Sequence, residues 1–127
     1  MTELRENETE DELMNLPTIT DEYMLQMRAT TKPYTVMILK ATPKLREPGA
    51  DKIIWEHGRR NHALRSDGVL SIVCPIADGG EVCGIGIFNA TVEETQQIMD
   101  GDPGVQAGIF TYEIHASRSF PGDHLPG

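Results

Sequence analysis

The sequence predicts an α+β fold of the ferredoxin-like kind, β-α-β-β-α-β, with a four-stranded antiparallel sheet and helices on one face. Three observations lead there. Four short runs are rich in β-branched, aliphatic and aromatic residues and are bounded by turn-forming residues. Two helical segments fall between the first and second runs and between the third and fourth. The middle two runs are joined by ADGG, a hairpin signal.

The elements follow in order. Residues 1–33 form an acidic extension, with eight acids against three bases. Met1 to Glu12 is too polar to hold a core and is expected to be disordered. TDEYMLQMRATT (Thr20 to Thr31) suits a short helix behind a Thr20 or Asp21 cap, with Met24, Leu25 and Met27 available to cover an apolar surface. The folded domain is expected over 34–120, with 121–127 as a tail. Its first strand is YTVMILKAT (Tyr34 to Thr42), between Pro33 and Pro43. After a loop, a helix runs from about Ala50 to Arg65 and is closed by Gly68. VLSIVCPI (Val69 to Ile76) and EVCGIGIF (Glu81 to Phe88) are the hairpin strands. TVEE is a capping box, Thr91 accepting from the backbone of Glu94 and Glu94 reaching back. That helix ends near Asp100, with Gly101 as the stop and Pro103 beyond. DPGVQAG has room for one helical turn, and IFTYEIHA (Ile109 to Ala116) is the last strand.

Pro75 has no N–H to give, so it belongs at a non-bonded position of the hairpin. A four-residue loop meets that requirement with partner numbers summing to 157, which sets Cys74 opposite Cys83. With two cysteines and no zinc spacing, two buried thiols are the expected state. Strands three and four carry apolar residues on both faces. The face without helices is therefore expected to be closed by a second copy of the chain.

Composition narrows the function classes. The formal net charge is −9 with Lys and Arg scattered, which argues against a nucleic-acid or anionic-membrane partner. No apolar run reaches the ~20 residues of a bilayer span. The acidic start is unlike a signal or transit peptide, so a cytoplasmic protein is expected.

The stretch IIWEHGRRNHALRSDG holds two of the four histidines. At about 100° per residue, and relative to Ile54, His57 lies at about −60°, Leu64 at about −80°, Asn61 at about −20° and Ile53 at about −100°. His62 lies at about +80°, beside Trp55. His57 is thus within the stripe that must face the sheet, and His62 is at its edge. A histidine on an apolar face is more often a core residue than a catalyst. Gly58, costly inside a helix, suggests a close approach. His115 and His124 belong to no constellation. No G-x-S-x-G occurs, and no trio with metal-ligand spacing. Gly84 and Gly86 alternate on a strand and offer a flat surface for packing or ligand approach.

HGRRNHALRSDGVLSIVCP, followed by DPGVQAGIFTYEIHASRSF, resembles the YCII-related (YciI-like) family. Its pattern has a first-helix His, a Gly eleven residues later, a Pro after the next strand, and a D-P-aromatic-x-x-A-G segment before the last strand. On this pattern His57 matches the histidine, Gly68 the glycine and Pro75 the proline. Asp102, Pro103, Ala107 and Gly108 match the second segment. Cys74 stands where the family has glycine, and Gly104 where it has an aromatic residue. The resemblance covers residues 34–120 and implies a dimeric α+β barrel built from two ferredoxin-like sheets.

It also implies that His57 and Asp102 form a dyad. No cofactor and no metal are expected, and Ser71, Pro103 and Gly104 are the candidate substrate contacts. A carboxylate on one imidazole nitrogen fixes the tautomer and leaves the other as a base. Such a pair suits lyase, isomerase or dehydrochlorinase chemistry on a small organic molecule. Asp102 before Pro103 is also an ideal cap for a helical turn, a role compatible with a bond to His57. The alternatives are a non-catalytic small-ligand binding or regulatory module of the same fold, and heme- or cofactor-free monooxygenase chemistry.

Overall fold

The computed structural model describes residues 15–127. The expected disorder of Met1 to Glu12 lies outside the described residues. Contacts divide the chain into residues 1–30 and 31–127. In the first unit, α1 (Asp21–Thr30) starts behind Thr20, whose Oγ1 accepts from the Tyr23 N–H at 3.1 Å. Asp21 and Glu22 lie in its first turn, where carboxylates suit the helix dipole.

In the second unit the order is β1 (Lys32–Ala41), a 3-10 turn at Pro43–Arg46, α2 (Ala50–Ser66), β2 (Leu70–Pro75), β3 (Val82–Phe88), α3 (Val92–Asp100), α4 (Pro103–Gln106) and β4 (Phe110–Ser119). The sheet order is β2-β3-β1-β4, and every neighbouring pair is antiparallel. This is the expected ferredoxin-like architecture. β1 starts before Pro33, and β4 runs on to Ser119, because Lys32 pairs with Ser119 and Pro33 with Arg118. Pairing with β3 ends at Thr35–Phe88. At Pro33 the strand has a sheet neighbour on one side alone, so a residue without an N–H is tolerated.

Helix ends follow local chemistry. After α2, Gly68 takes φ +81°, and the Val69 N–H donates to the Leu64 carbonyl. At α3 both halves of the capping box form: the Glu94 N–H donates to Thr91 Oγ1 at 3.1 Å, and the Thr91 N–H to Glu94 Oε1 at 3.0 Å. Gly101 closes α3 without entering the left-handed region, at φ −85°. Its missing side chain serves packing, since a Cβ there would lie 2.9 Å from Arg60 Nη2 of α2.

The core lies between the sheet and the helices. Met37 and Leu39 of β1, Leu70, Phe88, Met99, Ile109 and Phe110 are buried, with Ile53, Ile54 and Leu64 of α2 packed against them. The opposite sheet face carries a second apolar set. Ile72 faces Ile87, which faces Val36, and Cys74 faces Ile85, which faces Ile38. These six are half-buried. His115 and Glu113 of β4 border them, opposite Val36 and Ile38.

The hairpin register differs from expectation. From Ile72 to Pro75 partners sum to 159 rather than 157, so Cys74 lies opposite Ile85, and the Ile76 N–H donates to the Cys83 carbonyl; a bulge at Ser71 then brings Leu70 opposite Phe88. Cys74 and Cys83 do not face each other and are free thiols. The physical reason is a longer loop and a bulge. Asp78 Oδ1 accepts from the Gly80 N–H at 3.0 Å, and Gly79 takes φ +80°, building a turn inside the loop. The Glu81 carbonyl leaves the hairpin to accept from the Ala41 N–H of β1. Cys83 is the extra residue where β1 pairing steps from Leu39–Gly84 to Lys40–Val82. A shift of two preserves which face each side chain occupies and keeps Pro75 at a non-bonded position.

Candidate active site

α2 sets His57 on its core-facing side, as its angular position predicts, and His57 is 8% exposed. Asp102 sits between α3 and α4, in extended conformation at φ −70° and ψ 131°, and is 1% exposed. The proline after it holds that conformation. Forty-five positions apart in the chain, the two side chains meet: His57 Nδ1 lies 2.8 Å from Asp102 Oδ1 and 2.9 Å from Oδ2. Asp102 also caps α4, its Oδ2 accepting from the Gly104 N–H at 3.0 Å and the Val105 N–H at 3.2 Å. The cap role and the histidine bond therefore coexist in one carboxylate. Arg60 Nη1 adds a cation 3.9 Å from Oδ1.

Burial pushes the Asp102 carboxyl up, but the bond to His57, its charge, and the two backbone N–H groups outweigh this and hold it below the usual carboxylate range. An ionised carboxylate only accepts, so Nδ1 carries a proton, and in the neutral form of the ring Nε2 presents a lone pair. Asn61 takes up that lone pair, its Nδ2 donating to Nε2 at 3.2 Å. The Phe110 ring packs on the imidazole with centroids 4.7 Å apart.

The imidazole borders a cavity of about 820 Å³. Asn61 and Arg65 of α2, Ser71 of β2, Gly84 and Gly86 of β3, and Asp123 and His124 of the tail also line it. Gly58 lines it too, and nothing lies within 4 Å of the position its Cβ would take. The expected close approach at Gly58 is therefore corrected: the bare position opens onto the cavity. Among the glycines lining the cavity Gly86 is the close-packed one, where a Cβ would lie 3.0 Å from Leu70 and 3.3 Å from Met37. A separate open depression of about 640 Å³, lined by Asp51, Lys52, Trp55 and Glu56, holds none of these groups.

The expected site residues divide in two. Ser71 lies in the cavity wall with His57. Asp102, Pro103 and Gly104 do not; Asp102 holds Nδ1 of the imidazole, and the Gly104 N–H is directed at its carboxylate. A Cβ on Gly104 would overlap the Phe110 ring, so Phe110 fills the space that a side chain at 104 would need. His62 is exposed at the cavity edge, and His115 lies 3.5 Å from Glu113 on β4. Sequence reasoning gave no role to Asn61 or His124. Asn61 was detectable, since it shares the His57 arc one turn on. The return of the tail to the cavity left no local signal. Cys83 borders the cavity with its Sγ 3.5 Å from the Leu39 carbonyl, and burial pushes its thiol up. Among the described residues no three His, Cys, Asp or Glu side chains are grouped to hold a metal ion. No described helix is long and apolar enough to cross a membrane.

No protein-family model and no curated protein sequence matches the chain. Among solved structures, the chain is similar to 5-chloro-2-hydroxyhydroquinone dehydrochlorinase from Burkholderia phenoliruptrix AC1100, in complex with 2,5-dihydroxybenzoquinone. The identity is 15%, over 65% of this chain and 90% of that one, with a TM-score of 0.47.

Proposed function

We propose that this protein is a cofactor-independent enzyme that moves protons on a small organic molecule, with His57 as general acid/base and Asp102 as the group that orients it. The observation that carries this reading is one ring with two different sides. Nδ1 is held by a buried carboxylate, and the ring borders a cavity of ligand size. The carboxylate selects the tautomer and stabilises the imidazolium that forms when Nε2 takes a proton. Ser71 contacts the substrate from the cavity wall, while Pro103 and Gly104 act through the support of Asp102. This chemistry covers lyase, isomerase and dehydrochlorinase reactions, and a positioned base contributes roughly 10²–10⁴-fold.

The functional unit in this reading is a homodimer, closed over the apolar sheet face around Val36, Ile38, Ile85 and Ile87. The test is a His57→Gln variant against the wild type on a panel of small carbon acids, following proton exchange in deuterated solvent. Loss of exchange with an unchanged thermal transition supports the base role. Loss of the transition alone, with exchange per folded molecule preserved, refutes it.

A further inference from the structure

We propose that Asn61 is the oxyanion partner of His57, and that the site takes a molecule bearing an oxygen beside the proton it loses, such as an enol, a phenol or a carbonyl compound with an acidic α-proton. This deepens the reading of His57 as the base and rests on it.

With Nδ1–H committed to Asp102, Nε2 is the one nitrogen able to take a proton, and the Asn61 Nδ2 donor already occupies it at 3.2 Å. A base in that state cannot act until the donor moves. Asn61 is half-buried in the cavity wall, so an amide N–H displaced by a ligand needs a new acceptor there. A substrate whose acidic hydrogen points at Nε2 satisfies both groups only if it also brings an oxygen to Asn61. Their spacing, one helical turn apart on α2, keeps the two side chains adjacent while this exchange occurs.

The proton count is then complete. The substrate's bond to hydrogen breaks, an Nε2–H bond forms, and the electron pair settles on the substrate oxygen. The imidazolium is balanced by Asp102. The oxyanion receives the Asn61 N–H, a contact worth most once the charge has developed. The other charged and titratable groups around the ring fit an anion. Arg65 of α2 lines the cavity and makes no ion pair among the described residues. His62 and His124 line it as well, Asp123 is the one carboxylate among its described lining residues, and Arg60 lies 3.9 Å from Asp102.

The test uses 4-nitrophenol, whose visible band reports whether it is bound as phenol or phenolate. In the wild type, binding is expected to raise the phenolate fraction above that in buffer at the same pH. Asn61→Ala is expected to bind at least about tenfold more weakly and to lose most of that gain, as removal of one hydrogen bond to a charged oxygen requires. Asn61→Asp, nearly isosteric, is expected to disfavour the phenolate further, which keeps the test intact if the alanine variant folds poorly. Asn61→Ala with wild-type affinity and band overturns the proposal, as does a wild type that neither binds nor ionises the probe. His57→Gln separates the two claims. If it keeps the ionisation gain while Asn61→Ala loses it, the base assignment fails and the Asn61 assignment stands.

Discussion

His57 Nδ1 donates into the Asp102 carboxylate, at 2.8 and 2.9 Å from its two oxygens, and the same carboxylate caps α4 through the Gly104 and Val105 N–H groups. One buried anion thus fixes both a helix start and an imidazole tautomer. Its replacement should show in stability and in site chemistry together.

Asp102→Asn keeps the shape and removes the charge. It is expected to lower stability by about 1–3 kcal/mol, the scale of a buried hydrogen bond to an ionised group. The pH dependence has a definite sign. The folded-state pKa of Asp102 is depressed, so its contribution is present above the unfolded carboxylate value of ~3.9 and is lost as pH falls through the folded value. Denaturant titrations between neutral and strongly acidic pH should show wild-type stability falling below about pH 4 with a steeper slope than the variant's. Equal slopes would mean that the carboxylate is not held by these partners.

Gly58 lies inside α2 with open space at its Cβ position. Gly58→Ala is expected to stabilise the protein by up to about 1 kcal/mol, from helix propensity alone. Gly58→Phe is expected to keep the fold and to block ligand binding by filling the cavity. Thermal melts and probe titrations check the pair. Destabilisation by alanine would restore the close approach that the sequence suggested.

Gly104 is the opposite case, since a Cβ there overlaps Phe110. Gly104→Ala is expected to cost about 1–3 kcal/mol through overpacking. Because Phe110 also packs on His57, part of that loss should be recovered in Gly104→Ala with Phe110→Leu. A double-mutant cycle in urea measures the coupling.

Much of this was legible in the chain. Element order, the capping box at Thr91 and the inward turn of His57 follow from periodicity and cap chemistry, which are local. Asp102 as the partner of His57 came from the family resemblance, because contact across 45 positions has no local signature. The hairpin register shows where local rules stop. Pro75 restricts the pairing to alternate registers and accepts both 157 and 159. The choice falls to Cys83, bulged beside Leu39, and to the Glu81 carbonyl bonded to Ala41, both contacts with a third strand. Gly58 misled for a related reason: a glycine in a helix signals missing volume, and the sequence does not say whether a neighbour or a cavity uses it.

The most direct test of the central claim is a long-range ¹H–¹⁵N spectrum of His57 at neutral pH, in the wild type and in Asp102→Ala. The expected result is a wild-type proton on Nδ1, held by Asp102, and loss of that preference in the variant. A wild-type ring protonated at Nε2 instead, or a tautomer unchanged by Asp102→Ala, would contradict it.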